Sequence, residues 1–136
     1  MQSNGTLLTI DGVSKQFYGV RALKDVSLAV EAGTIFGIVG PNGAGKTTLF
    51  NIICGVYPPT SGKISLRGKD ITSLPASATA RQGVARTFQI VHSFRSMTVL
   101  ENVMVGCGHK IYGDPARLAG VYRNDRMEAR CMELLT

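Results

Sequence analysis

Eight consecutive residues, Gly40-Pro41-Asn42-Gly43-Ala44-Gly45-Lys46-Thr47, match the pattern Gly-x4-Gly-Lys-Ser/Thr, and each residue type in it suits a chain of phosphates. The glycines let the backbone fold tightly so that successive N–H groups point inward. A helix starting in the loop adds roughly half a positive charge at the same spot. Lys46 supplies a full charge for the β- and γ-phosphates, and the Thr47 hydroxyl is placed to ligate Mg²⁺. The flanks fit as well. Ile35-Phe36-Gly37-Ile38-Val39 reads as a buried strand feeding the loop, and Thr48-Leu49-Phe50-Asn51-Ile52-Ile53 reads as the helix that leaves it. A nucleotide site explains this strand–loop–helix better than an empty glycine turn.

The elements that must hold the loop can be read on both sides of it. Leu7 to Val13 and Val26 to Val30 alternate as strands and are expected to pair antiparallel beside an α/β nucleotide-binding core. Glu31-Ala32-Gly33 makes a tight turn into the next strand, and Gly55 reads as the C-cap of the first helix. Pro58 to Gly62 is loop, and Lys63 to Leu66 is a short strand ended by Arg67-Gly68-Lys69-Asp70. Ser73 is expected to cap a helix to about Gln82, with Pro75 in its first turn and Gly83 ending it. Val84 to Phe88 returns as a strand. Thr98-x-x-Glu101 is a capping box for a helix that Gly106 should end. Gly106 to Gly120, glycine-rich with Pro115, reads as a connection. A last helix begins near Asn124, with Met127, Cys131 and Leu134 at helical spacing.

Composition narrows the classes. With 136 residues, 44% of them apolar and 18% charged, the chain can bury a core as one domain. No apolar run reaches the roughly 20 residues of a membrane span, and no secretory leader is visible, so a cytoplasmic setting is expected. Cys54, Cys107 and Cys131 lack ligand spacing and read as reduced packing residues. His92 and His109 have no ligand partners at metal-site spacing, so no metal is expected there. The net charge is +6, and between Lys63 and Arg95 six basic residues face one acid, Asp70. Nothing there matches a helix-turn-helix, a zinc finger or an aromatic-basic RNA motif, so no nucleic-acid partner is expected. A solvated face, or charges awaiting a partner in a longer protein, is the better reading.

Three further stretches resemble the ATP-binding subunits of ABC transporters. The loop extended to Thr48-Leu49 looks like that family's phosphate loop, and Pro59-Thr60-Ser61-Gly62-Lys63-Ile64 looks like a turn found in it. Phe17-Tyr18-Gly19-Val20-Arg21-Ala22-Leu23 resembles the family's opening, whose aromatic stacks on adenine. Register to the loop places that aromatic at Phe17, with Tyr18 beside it. A ring on a purine face contributes roughly 1–3 kcal/mol without reading hydrogen bonds. Arg86-Thr87-Phe88-Gln89, followed by Phe94-Arg95-Ser96-Met97-Thr98-Val99-Leu100-Glu101-Asn102, is similar to the Q-loop region of subunits that drive branched-chain amino acid uptake.

The resemblance implies a P-loop ATPase core with an antiparallel β subdomain over 1–95 and the start of a helical subdomain over 96–136. It implies ATP and Mg²⁺ as cofactors, with Gly40, Pro41, Asn42, Gly43, Ala44, Gly45, Lys46, Thr47 and Thr48 around the phosphates. Phe17 would lie at the base, Thr47 and Gln89 at the metal, and Lys46 and Gln89 would act in catalysis. Permease subunits would meet the Q-loop region, a second ATPase subunit would face the nucleotide, and the protein would sit on the inner face of the plasma membrane.

Three family features are not found within these 136 residues: a Leu-Ser-Gly-Gly-Gln signature, a strand ending in Asp-Glu, and a switch histidine. The final helix also stops at Thr136 without a cap. Both observations are expected of the N-terminal portion of a longer protein, with an unpaired sheet edge and little turnover by this portion alone. Two other readings stay open: a nucleotide-binding module with no transport role, and an ATPase of another transport branch. A GTPase is disfavoured because no Asn-Lys-x-Asp stretch occurs.

Overall fold

The computed structural model describes residues 5–88, 93–107 and 125–135. The chain divides into two compact units, Met1–Arg86 and Thr87–Thr136.

The first unit is built on a long hairpin. Strand β1 (Thr6–Phe17) and strand β2 (Val20–Glu31) pair antiparallel, with Ile10 opposite Leu28, Val13 opposite Val26 and Phe17 opposite Val20. Both strands run well past the expected limits. Bulges interrupt the apolar alternation that marks a strand in sequence, and side chains hold the ladder together there. Gly12 N–H donates to Ser27 Oγ at 2.9 Å, and Asp25 N–H donates to Ser14 Oγ at 2.9 Å. Strand β3 (Ser61–Leu66) lies on the other side of β1, with Ile64 opposite Ile10, and the short β4 (Lys69–Asp70) closes the sheet in the order β2-β1-β3-β4.

Helix α1 (Lys46–Ile53) covers this sheet. Its Leu49 and Ile52 join Ile10, Val13, Leu23, Ile64 and Ile71 in the core. The helix ends in a Schellman motif. Gly55 N–H bonds Ile52 O and Val56 N–H bonds Asn51 O, with Gly55 at φ 72° where a side chain would be strained. The site expected for the C-cap is therefore one residue past the cap itself, which is Cys54.

Four local expectations need correction. Ile35 to Val39 does not form a strand. It has no ladder neighbour among the described residues, and Ile35, Phe36 and Val39 are exposed, while Ile38 alone packs on the core. Val84 to Phe88 likewise forms no strand, with Phe88 exposed. An apolar run becomes a strand only when a second strand satisfies its backbone. Helix α2 (Ala76–Arg81) starts at Pro75 rather than Ser73. Pro75 is extended, at φ −67° and ψ 159°, and its carbonyl accepts from Ala78 and Thr79, so the helix cannot begin earlier. In the second unit, helix α3 (Val99–Cys107) runs through Gly106 rather than stopping there.

The capping box of α3 forms as expected: Thr98 N–H donates to Glu101 Oε2 at 2.7 Å, and Glu101 N–H donates to Thr98 Oγ1 at 3.3 Å. Helix α4 (Asp125–Glu133) packs on α3, and Met104 and Cys131 are buried. Most of the expected connection after α3 lies outside the described residues, as do His92 and His109. No described helix is long and apolar enough to cross a membrane.

Candidate nucleotide site

Asn42, Gly43, Ala44, Gly45, Lys46, Thr47 and Thr48 surround a cavity of about 240 Å³, and Ala22 of β2 completes its wall. The loop is held tightly against the hairpin. A Cβ placed on Gly45 would lie 2.5 Å from Ala22 O and 2.7 Å from Leu23 Cδ2, at a φ of +84°. Only glycine fits there, and its close approach brings the start of α1 onto the sheet. Loop spacing alone could not have marked Ala22, which lies on another element, as a wall of the site.

Lys46 is turned into its own loop. Its ammonium donates to Gly40 O at 2.5 Å and Pro41 O at 2.7 Å, and among the described residues no carboxylate pairs with it. Backbone carbonyls solvate the charge but do not neutralise it. An anion entering the cavity therefore meets an uncompensated cation together with the first amides of α1, whose first turn carries no acidic residue. Thr47 is exposed at the same edge.

The donor set suits Mg²⁺ only when phosphate comes with it. No group of three or more His, Cys, Asp or Glu able to hold a metal occurs among the described residues. One hydroxyl is the protein's contribution at this point. Magnesium is commonly bound this way, keeping waters and sharing the oxygens of a phosphate chain. Gln89, expected as a second ligand, lies outside the described residues.

Phe17 sits at the end of β1 opposite Val20, two residues along β2 from cavity-lining Ala22. That is about 7 Å of strand rise, and Phe17 is not among the residues that line the phosphate cavity. The ring already has company. Tyr57 meets it edge-on, with centroids 5.5 Å apart and planes at 82°. The Lys15 ammonium lies 5.0 Å from its centroid and is held in place by Pro58 O at 2.6 Å. Tyr18, at φ 43° in the hairpin turn, is fully exposed. These contacts to Phe17 were not legible in the sequence, because Tyr57 reaches Phe17 across 40 residues.

In the second unit, Ser93, Phe94, Arg95, Met97, Val99, Asn102 and Val103 help line an open groove of about 740 Å³. Asn102 fixes its shape. Its amide nitrogen donates to Phe94 O at 3.1 Å, Met97 O at 3.2 Å and Thr98 O at 2.9 Å, while its oxygen accepts from Phe94 N–H at 2.8 Å.

Most of the chain is similar to known proteins. Residues 23–136 match the family model described as ABC transporter. The high-affinity branched-chain amino acid transport ATP-binding protein LivG of Salmonella typhimurium is 48% identical over 99 residues, covering 73% of this chain and 39% of that protein. Its counterpart BraF of Pseudomonas aeruginosa is 41% identical over 130 residues, covering 93% and 50%. The chain thus spans half or less of the length of these curated relatives. Among solved structures, an ATP-binding cassette of an ABC transporter in its ADP conformation superposes with a TM-score of 0.80 at 32% identity, over 96% of this chain and 53% of that one.

Proposed function

Because the chain belongs to the ABC transporter family, we propose that it forms the nucleotide-holding portion of an importer's ATP-hydrolysing subunit, with branched-chain amino acids as the cargo. One observation carries the nucleotide part: the Lys46 ammonium, bonded to the Gly40 and Pro41 carbonyls and paired with no carboxylate among the described residues, belongs to a loop whose residues 42–48 line the cavity. The cargo part rests on the names of LivG and BraF and on the Arg86-Thr87-Phe88-Gln89 stretch.

In this reading Lys46 leaves the Gly40 and Pro41 carbonyls and takes phosphate oxygens instead. Backbone N–H groups of the loop and of the first turn of α1 would orient the chain of phosphates, and the Thr47 hydroxyl would be the protein's ligand to Mg²⁺, whose charge would offset that of the phosphates. Phe17, braced by Tyr57, offers a ring face to adenine after Lys15 swings aside. Gln89 would add a metal and water contact. The groove bounded by Phe94, Met97 and Val99 would receive a permease subunit, placing the protein on the inner face of the plasma membrane. A second copy of the full subunit would complete the hydrolytic site.

Calorimetric titration with Mg-ATP, run beside Lys46→Ala, tests the reading. Binding by the wild type that the variant loses is the expected result, with negligible turnover by residues 1–136 alone. Equal binding by both proteins, or none by either, would overturn it for this chain.

A further inference from the structure

The first unit ends at Arg86, and that residue is tied to the phosphate-loop helix. Its Nη1 donates to Asn51 Oδ1 across 35 residues of sequence, and both side chains are half-buried. Asn51 occupies a particular place on α1. It lies four residues after Thr47, one turn along the same helix face. Its carbonyl also accepts the Val56 N–H that closes the Schellman motif. Asn51 therefore spans a helix of only eight residues, standing one turn from the phosphate end and locked at the other. The segment it holds, residues 84–88, has no ladder to steady it and leads to Gln89.

We infer that Arg86 is a positioning residue: through Asn51 it makes the order of residues 84–88 depend on whether the phosphate loop is occupied. The inference rests on the nucleotide reading above. Phosphate bound by the first turn of α1 stiffens the face that carries Thr47 and Asn51. The guanidinium passes that order to residues 84–88, whose backbone forms no ladder. A hydrogen bond from a charged donor at a half-buried place is strong enough to matter at this level. Nothing in the motif Arg-Thr-Phe-Gln discloses this, because the acceptor lies in another element.

Hydrogen exchange of the full 136-residue chain, with and without saturating Mg-ATP, reads the coupling directly. In the wild type, Mg-ATP should slow exchange in residues 40–48 and, by about tenfold, in residues 84–88. In Asn51→Ala and in Arg86→Lys the loop should still be protected, while the effect on 84–88 shrinks to about twofold or less. Asn51→Asp keeps an acceptor and should retain the wild-type response, which separates a lost tether from a damaged helix. Protection of 84–88 that survives in both tether variants would overturn the inference, as would its absence in a wild type whose loop is protected. No protection of the loop in the wild type would instead bring down the nucleotide reading, and this inference with it.

Discussion

Strand β3 and the stretch Ile35 to Val39 are both short apolar runs, yet they end in opposite environments. In β3, Ile64 is 1% exposed, because β1 lies on one side, β4 on the other and α1 above. In the other run, Ile35 is 104% and Val39 97% exposed, and only Ile38 reaches the core. Strand character at a position is thus a property of the neighbour as much as of the residues. Where a partner strand supplies backbone hydrogen bonds, β-branched side chains are packed. Where none is present among the described residues, the same types stay in solvent and the backbone forms no ladder.

The largest test of this contrast is a pair of truncations. Ile64→Ala should lower the stability of the chain to denaturant by about 2–5 kcal/mol, since it opens a cavity between sheet and helix. Ile35→Ala should change it by less than about 0.5 kcal/mol, because the side chain touches little. Urea melts of the two variants decide the point. A similar cost at both positions would mean that Ile35 is covered in solution, and the contrast drawn above would fail.

The same distinction explains what the sequence made legible. The phosphate loop, the capping box at Thr98 and the αL glycine at Gly55 are local: every group they need lies within a few residues, so spacing is enough. The antiparallel hairpin was also readable, from alternation on both strands, although its bulges at Gly12 and Asp25 hid its full length. What could not be read depends on distant partners. Phe17 shows this best, since nothing in Gln16-Phe17-Tyr18 discloses that Tyr57 and Lys15 claim its ring. Ser73 fails for a local reason that the pattern did not rank. The preceding Asp70 already takes Thr72 N–H and Oγ1, which sets up a turn and leaves Pro75 to open the helix.

A smaller effect is expected where a local device works alone. Thr98→Ala removes the hydroxyl that accepts from Glu101 N–H and donates to its carboxylate at 2.9 Å. The cost should be about 1 kcal/mol, confined to the second unit. Amides in the first turn of α3 should exchange roughly fivefold faster, while those of β1 and β3 stay unchanged. Faster exchange spreading into the sheet would show that the helix start and the core are coupled, contrary to the self-contained cap described above.

The smallest effect concerns a polar group whose partners are both present yet exposed. The Asp70 carboxylate accepts from Thr72 Oγ1 at 2.5 Å and from Thr72 N–H at 2.9 Å, and Lys63 lies 3.6 Å away. The hydrogen bonds from Thr72 are the main cause that holds its pKa below the ordinary 3.8, and the charge of Lys63 adds less. A carboxylate with a lowered pKa stabilises the fold when ionised. That contribution is complete above the unfolded value and fades as pH falls through the lower native one. The stability difference between wild type and Asp70→Asn should therefore be flat from neutral pH to about pH 5 and then shrink as acid is added further. Because Thr72 rather than Lys63 dominates, added salt should leave most of the difference in place, whereas an ion pair at this exposure would be screened. A difference that vanishes in salt at neutral pH would assign the effect to Lys63, and would make charge rather than the Thr72 turn the device that ends β4 and starts the path to α2.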